Sequence, residues 1–302
     1  MAQVRIFWDP SGFELDSLGT KEYLRVTDGD TTYVSMSIRM LSIDTPEVHY
    51  PGNRKPSKQD ENLAQLAEWI KEGKAPINSD LAEYLLYPKL ATGTAGTLQE
   101  EQGERATAKY EELLEEKLTR PSGSKRRVYL RAADEHFDQY GRLLAYIAPY
   151  YSSQERASMS LRERATFNLL MVDAGWAASF PIYPSIPGYD DLVMLREAAR
   201  DAYHQKRGAW ADPMTLTGYE FRMCVKLHGI TKKLVEGKTL SSSERSRWIT
   251  RYCVDMTTME IFQPQEYYRV APYDRIFIWP EDVAEAVGAM NLVPARRRDL
   301  RD

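Results

Sequence analysis

The chain has 302 residues, of which 43% are hydrophobic and 28% charged, and this composition is typical of a globular protein with a substantial core. No apolar run approaches the roughly twenty residues of a membrane-spanning helix, and the N-terminal residues lack the apolar segment of a signal peptide, so we expect a cytoplasmic protein with no membrane partner. Only two cysteines occur, Cys224 and Cys253, which excludes a disulfide framework.

The net charge of −4 neither favours nor excludes a nucleic-acid partner, because the basic residues are clustered. One basic run lies between Arg120 and Arg131, and a second lies between Arg296 and Arg301. A solvated surface explains such runs as well as phosphate contacts do. The charge therefore leaves the class of partner open.

The first motif lies in a predicted hairpin. Residues 1–20 have no clear hydrophobic period and are compatible with a strand, whereas residues 23–43 alternate and predict paired strands. The turn Asp28-Gly29-Asp30-Thr31 follows the first of these strands. Asp-Gly is a common hairpin turn, but carboxylates are also the ligands that hard cations prefer. Both interpretations stay open for this motif alone.

The second motif follows at the end of the predicted hairpin, where Arg39 precedes Asp44-Thr45-Pro46-Glu47. A polar cap, a proline and an acid are typical of a helix start. An arginine beside carboxylates also suits a phosphate and a metal ion. Strict alternation places Arg39 and Asp44 on opposite faces, so they converge only if the strand bends or ends before Asp44.

Residues 51–100 form a predicted helical insertion. Asp60 is the expected cap of a first helix, and Ser79 is the expected cap of a second helix that ends before Pro88. Small residues over 91–97 indicate a linker. The insertion is either a packing elaboration or a lid that selects the substrate, and the sequence leaves both alternatives open.

Helices and strands follow the insertion in an order that predicts an α+β fold. Residues 102–118 have the spacing of an amphipathic helix, and residues 127–131 and 142–148 are predicted strands. A third motif, Tyr140-Gly141-Arg142, lies in the turn between those strands. Two more helices are predicted, one capped by Ser160 and ending at Gly175, the other capped by Asp190 or Asp191 and ending near Gly208.

Together, the three motifs resemble those of the staphylococcal nuclease (thermonuclease) family over roughly residues 20–212. The resemblance implies a five-stranded OB-type β-barrel with packed helices. It divides the chain into a nuclease-like domain over residues 1–212, with the insertion at about 51–100, and a C-terminal extension over 213–302. The intracellular location that we expect differs from that of the best-known secreted members.

The resemblance also implies a role for each residue of the motifs. One Ca²⁺ ion is expected to bind the carboxylates of two aspartates and one backbone carbonyl, and other divalent ions are compatible with the same ligands. The expected metal ligands are Asp30, Asp44 and Thr45, with Asp28 supporting the turn that carries Asp30. The expected catalytic residues are Glu47, which deprotonates water, and Arg39 and Arg142, which bind the phosphate. The expected substrate-binding residues are Tyr140 and Tyr183.

The C-terminal extension resembles no family and is predicted to be a small α/β unit. Phe221, Met223, Val225 and Leu227 alternate as in a strand, and residues 267–270 and 275–279 predict two more strands. Residues 281–290 predict a short helix. Three roles stay open for this region: positioning nucleic acid, binding a regulatory protein partner, or packing on the nuclease domain.

The motif set predicts a metal-dependent nuclease that hydrolyses DNA, RNA or both with low sequence specificity. By resemblance to the family, it leaves 3′-phosphate and 5′-hydroxyl ends. The alternative is a non-catalytic nucleic-acid-binding or scaffold protein built on the same barrel, because a fold does not determine a function.

Overall fold

The computed structural model describes residues 21–138 and 140–296. The strands are β1 (Tyr23–Asp28), β2 (Thr31–Val34), β3 (Ile38–Met40), β4 (Ile43–Asp44), β5 (Val128–Phe137), β6 (Leu143–Pro149), β7 (Ala178–Ser179), β8 (Tyr252–Asp255), β9 (Glu260–Phe262), β10 (Arg275–Ile278) and β11 (Val293–Pro294). The helices are α1 (Asp60–Lys71), α2 (Ser79–Leu81), α3 (Tyr87–Leu90), α4 (Ala95–Leu118), α5 (Ser153–Ala157), α6 (Phe167–Asp173), α7 (Tyr189–His204), α8 (Gly218–Val235), α9 (Ser242–Ser246) and α10 (Val283–Met290). The strand predicted within residues 1–20 lies outside the described residues.

The mixture of helices with separate sheets confirms the predicted α+β class. Among the described residues, β1 pairs with β2, β4 pairs with β7, and three strands form a sheet in the order β3-β6-β5. A further sheet has the order β10-β8-β9-β11 and belongs to the C-terminal region. The pairings include no closed barrel in this part of the chain, so the five-stranded OB-type barrel stays a prediction.

Helix caps in the insertion differ from those predicted. The Asp60 carboxylate accepts hydrogen bonds from the Gly96 and Thr97 amides at 2.7 and 3.0 Å, and it therefore caps the start of α4 instead of its own helix. Because sequence order does not determine which helix end is nearby, this partner was not predictable. Pro88 lies inside a helical run, where a π-helical turn over Ala82–Leu86 precedes it.

The later caps also differ. Thr166, not Ser160, accepts the hydrogen bond from the third residue of α6, the Leu169 amide, at 3.2 Å. Asp190 and Asp191 lie in the first turn of α7, after Gly188 at the cap position. Negative charge in a first turn is favourable for the helix dipole without being a cap.

The strand predicted from Phe221, Met223, Val225 and Leu227 is wrong, because all four residues lie in α8. Thr217 and Glu220 form a capping box that starts this helix, and its buried face continues with helical spacing. The strand predicted over 267–270 is a 3₁₀ turn. The predicted strand at 275–279 and the predicted helix at 281–290 are confirmed as β10 and α10.

The largest hydrophobic core joins the insertion to the C-terminal region. Leu63 and Leu66 of α1 pack in one cluster with Phe221 and Leu227 of α8 and with Trp248. A second cluster contains residues from β4, β6, α4, α6 and α7. Because regions far apart in sequence share the first core, the division into residues 1–212 and 213–302 stays a prediction. None of the described helices has the length and apolar character that crossing a membrane requires.

Candidate active site

A bend between β3 and β4 brings the two ends of the second motif together. Ser42 lies in the left-handed region with φ of 58°, and its hydroxyl is 2.7 Å from the Tyr146 hydroxyl. The bend carries Asp44 to the same side as Arg39, whose Nη2 lies 3.1 Å from Asp44 Oδ1. The convergence that strict alternation did not allow is therefore produced by one residue outside the strand conformation.

Asp44 is the buried centre of the site, with 1% of its surface exposed. Its Oδ1 accepts hydrogen bonds from Arg39 and from Arg222 Nη2 at 2.9 Å. Its Oδ2 accepts a hydrogen bond from the Tyr219 amide at 2.6 Å. Tyr219 and Arg222 both lie in the first turns of α8, so the C-terminal region contributes directly to this site.

Glu47 lies beside Asp44 and shares its arginine. Arg222 Nη1 donates to Glu47 Oε1, so a single guanidinium bridges both carboxylates. Helix α4 packs directly against the backbone of Glu47 at Gly103. A side chain at that position would not fit, because its Cβ would overlap the Glu47 carbonyl. A cavity of about 380 Å³ lies next to the motif, lined in part by Thr45, Glu47 and Tyr110. The Glu47 side chain is 23% exposed and is accessible to water.

The pKa values of the two carboxyl groups move in opposite directions. Burial alone would raise the pKa of Asp44, but the charges of Arg222 and Arg39 outweigh it and hold the pKa below its usual value. At Glu47 burial prevails over the Arg222 charge, and the negative charge of Asp44 adds to it, so this pKa is raised. Neighbouring carboxyl groups with divergent pKa values often divide the acid and base roles of a site.

Two further cations extend the positive charge around Arg222. Burial lowers the pKa of Arg251, and the positive charge of nearby Arg222 contributes to the shift. The Arg251 guanidinium lies over the Trp279 ring, with its carbon 3.9 Å from the ring centroid. Burial also lowers the pKa of Lys226, with smaller contributions from Arg251 and Arg222. These cations all belong to the C-terminal region.

Arg142 is held separately in its own turn. Its Nε and Nη2 donate to Asp138 Oδ2 at 2.7 and 2.6 Å, and its amide donates to Asp138 Oδ1 at 3.0 Å. Tyr140 is 72% exposed beside it, with the Arg142 guanidinium carbon 5.4 Å from the ring centroid. Among the described residues, no hydrogen bond or ion pair joins this turn to Asp44 or Glu47.

The first motif lies at the tip of an exposed hairpin. Asp28 pairs with Thr31 across the turn, which confirms the predicted hairpin. Both aspartates are exposed, and the Thr31 hydroxyl lies 3.3 Å from Asp30 Oδ1. Hydrogen bonds from Thr31 and Asp30 lower the pKa of Asp28. In the described residues no hydrogen bond or ion pair joins this hairpin to Asp44.

Tyr183 lies in a core instead of on the surface. It is 8% exposed in a cluster with Val254, Ile276 and Ala286, and its hydroxyl donates to Glu285 Oε1 at 2.9 Å. Its ring therefore packs against the C-terminal region. The predicted substrate contact of Tyr183 stays a prediction.

The predicted metal ligands do not fit a divalent ion in this arrangement. Both Asp44 oxygens already accept hydrogen bonds, and α8 approaches Thr45 so closely that a Cβ at Gly218 would overlap the Thr45 carbonyl oxygen. Within residues 21–138 and 140–296, no group of three or more His, Cys, Asp or Glu side chains has the arrangement of a metal site. This arrangement therefore does not support the ligand set Asp30, Asp44 and Thr45, which stays a prediction.

The contribution of α8 to the site did not follow from the sequence. The capping box formed by Thr217 and Glu220 was visible in the sequence and could have identified the helix. Nothing in the local pattern could have linked Arg222 to Asp44, because 178 positions separate them. Only the shared packing of the insertion and α8 brings them together.

Comparisons with known proteins identify the family of this chain. The sequence model of a family described as staphylococcal nuclease homologue matches residues 37–212, which is more than half of the chain. Endonuclease YhcR of Bacillus subtilis (strain 168) is 24% identical over 273 residues, covering 87% of this chain and 16% of that relative. This chain thus spans less than a fifth of the length of that protein. The match over residues 37–212 shows that the chain belongs to the staphylococcal nuclease family.

Proposed function

We propose that this chain is a nuclease that hydrolyses phosphodiester bonds of DNA, RNA or both with low sequence specificity. The observation that carries the proposal is the continuous ion-paired cluster formed by Arg39, Asp44, Arg222 and Glu47. It combines donors for a phosphate with a carboxylate whose pKa is raised. The family to which the chain belongs and the relative named as an endonuclease support the same conclusion.

In the proposed reaction, Arg39 and Arg142 bind the non-bridging oxygens of the scissile phosphate. Glu47 Oε1 accepts a hydrogen bond from Arg222, which leaves Oε2 to orient a water molecule and accept its proton. The water oxygen forms a bond to phosphorus, and the bond from phosphorus to O5′ breaks. The leaving O5′ takes a proton from solvent, which gives 3′-phosphate and 5′-hydroxyl ends. The arginines offset the charge that grows on the phosphate oxygens.

The raised pKa of Glu47 supports its role as the base. A general base is most effective when its pKa approaches the working pH, since it must be ionised and still attract a proton. Burial supplies this shift at Glu47, while Asp44 stays ionised between two arginines. The two carboxylates therefore divide the work: Asp44 positions Arg39 and Arg222, and Glu47 accepts the proton.

Dependence on Ca²⁺, with Asp30, Asp44 and Thr45 as ligands and Asp28 in support, is what the family resemblance implies, and it stays a prediction outside the reaction proposed for this chain. Such an ion, when bound, would polarise the phosphate as a Lewis acid. No step above requires it. A regulatory protein partner at the C-terminal region and a cytoplasmic location likewise stay predictions.

A cleavage panel tests the proposed function. Purified full-length chain is incubated with supercoiled plasmid, single-stranded DNA and single-stranded RNA, each with Ca²⁺ and with excess chelator. We expect cleavage of at least one substrate, strongly reduced in Glu47→Gln and Arg142→Ala, with 3′-phosphate ends detected by end-labelling. Wild-type rates in both variants would contradict the assignment.

Nucleic-acid binding without catalysis is the second candidate, and one observation favours it. Asp44 is fully buried and Glu47 is already paired with Arg222, as in a site built for structure instead of turnover. Binding without cleavage across the whole panel, unaffected by Glu47→Gln, would support this alternative.

A further inference from the structure

The first turns of α8 fill the space that a cation would need beside Asp44. The carboxylates of Asp44 and Glu47 lie close together beside α8. The Arg222 guanidinium bridges them through Asp44 Oδ1 and Glu47 Oε1. The Tyr219 amide donates a hydrogen bond to Asp44 Oδ2, and Gly218 packs against the Thr45 carbonyl oxygen. A positive charge is therefore already present where Asp44 and Thr45 were expected to offer ligands to a metal.

We propose that Arg222 is a built-in cation that takes the place of a divalent metal at Asp44, so that a phosphodiester is bound and polarised by arginines. This inference rests on the proposed nuclease function and deepens it. Arg39, Arg222 and Arg251 then form the cationic wall of the site, and hydrolysis proceeds without Ca²⁺.

The arginines keep donors for a phosphate after their internal contacts are made. A guanidinium has five N–H donors. Arg222 uses two of them for Asp44 and Glu47, and Arg39 uses Nη2 for Asp44 and for the Ile43 carbonyl, which lies 3.4 Å away. The remaining donors of each side chain are left for the oxygens of an anion, which guanidinium groups bind with matching geometry.

The charge balance of the cluster also favours an anion. Burial lowers the pKa of Lys226 and of Arg251, and the positive charge of Arg222 contributes to both shifts, so two more cationic side chains lie within electrostatic range of Arg222. Arg251 Nε is buried and has no hydrogen-bond partner among the described residues. A phosphate that entered the site would offset the excess positive charge and could pair with this nitrogen.

Arg222 is rigidly held, as a replacement for a bound metal requires. The residues on either side of it, Phe221 and Met223, are 0% and 2% exposed in the core shared with α1. Moving this turn away from the site would expose that core to water, so the packing holds the first turns of α8 in place. Donors fixed before the substrate arrives stabilise a transition state most effectively, because they need no reorganisation.

Calorimetry of the full-length chain with CaCl₂ alone tests the metal replacement without reference to activity. We expect neither a saturable heat nor a rise in Tm with excess Ca²⁺ that depends on Asp44, since an ion that binds only the folded state would raise the Tm. If Asp44→Asn leaves a saturable heat unchanged, Ca²⁺ binds at a site that does not include Asp44, and this result supports the proposal. Saturable heat that Asp44→Asn removes, together with a Ca²⁺-dependent rise in the wild-type Tm, overturns it.

Cleavage in excess chelator tests the catalytic consequence. We expect the wild-type chain to stay active, Arg222→Ala to lose about 100-fold in kcat/KM, and Arg222→Lys to fall between them, because lysine keeps the charge but not the bridge. Arg196→Ala is the matched control: its ion pair with Asp274 leaves the arginine 29% exposed, compared with 22% for Arg222. We expect this control to cleave at the wild-type rate.

The outcomes separate the two proposals. Wild-type cleavage that requires Ca²⁺, or faster cleavage by Arg222→Ala in chelator, overturns the built-in cation and leaves the nuclease function intact. If the wild-type chain cleaves nothing under any condition, the nuclease function fails, and calorimetry alone decides whether Arg222 replaces the metal. Circular dichroism of each variant confirms that it is folded before its rate is compared.

Discussion

The two acidic motifs of the predicted site have opposite environments. Asp44 and Glu47 lie under α8, where three hydrogen bonds hold the Asp44 carboxylate. Asp28 and Asp30 lie at the tip of an exposed hairpin, and their hydrogen bonds are to neighbours in the same turn. The family match begins at residue 37, after this hairpin, and ends at residue 212, before Arg222.

A motif specifies its local shape more firmly than it specifies its neighbours in the fold. Both motifs adopt the turn or strand end that their residues favour. What surrounds each motif depends on distant segments, and α8 covers one motif while leaving the other in solvent. Substitutions in each motif distinguish a function that depends on the buried motif alone from one that requires both.

The largest expected effect is the loss of the proposed base. Glu47→Gln should lower kcat/KM about 1000-fold, equivalent to about 4 kcal/mol, because a general base typically contributes 100-fold or more. The free energy of unfolding should not decrease at pH 7, since folding raises the pKa of Glu47 and the neutral amide avoids the cost of burying a charge. The measurement is cleavage kinetics beside thermal unfolding. Glu100→Gln, at a glutamate bonded to Lys55, is the matched control and should retain full activity.

Asp44→Asn should instead destabilise the fold, by about 3 kcal/mol at pH 7, because it leaves two partly buried guanidinium groups without their shared, fully buried carboxylate. The folded pKa of Asp44 is lowered, so its contribution is present above its ordinary pKa and disappears as pH falls through the folded pKa. Urea unfolding at pH 7 and pH 3 measures this difference. An equal free energy of unfolding for mutant and wild type at pH 7 would show that the ion pairs add no net stability.

Arg142→Ala should lower kcat/KM about 100-fold through the loss of one phosphate donor. Its side chain is 38% exposed and its turn is also held by the Asp138 bond to the Tyr140 amide, so the variant should fold. Arg162→Ala removes a comparable exposed pair, with Asp173, and should have no effect on cleavage. Equal rates for the two variants would remove Arg142 from the proposed mechanism.

The pH profile should report Glu47 directly. Because the base must be ionised, kcat/KM should fall about tenfold for each pH unit below the pKa of Glu47. Burial raises that pKa, so the fall should begin at a higher pH than for an exposed glutamate. Cleavage rates between pH 4 and pH 8 measure the profile in wild type, and Glu47→Gln should flatten it.

The sequence predicted the local features well and the long-range contacts poorly. The hairpin turn, β5, β6 and α4 followed from alternation and helical spacing, which act within a few residues. Asp60 capped a different helix from the one expected, because the cap depends on packing between α1 and α4. The contact of Arg222 with Asp44 could not be predicted for the same reason, because α8 is positioned at the site by the core that it shares with α1. Within α8, alternate spacing of apolar residues misled the strand prediction because a fully buried helix start is apolar on several faces.

The smallest expected effect is that of Asp30→Asn, and it decides between the two motifs. If Arg222 supplies the positive charge beside Asp44, the exposed Asp30 carboxylate has no metal to bind, and cleavage in chelator should change less than about threefold, with the free energy of unfolding within about 0.5 kcal/mol of wild type. The measurement is the same cleavage assay, run in Ca²⁺ and in chelator, with Glu100→Gln as the control. A loss as large as that of Glu47→Gln would mean that the hairpin joins the site when nucleic acid binds, and that the buried motif alone is insufficient.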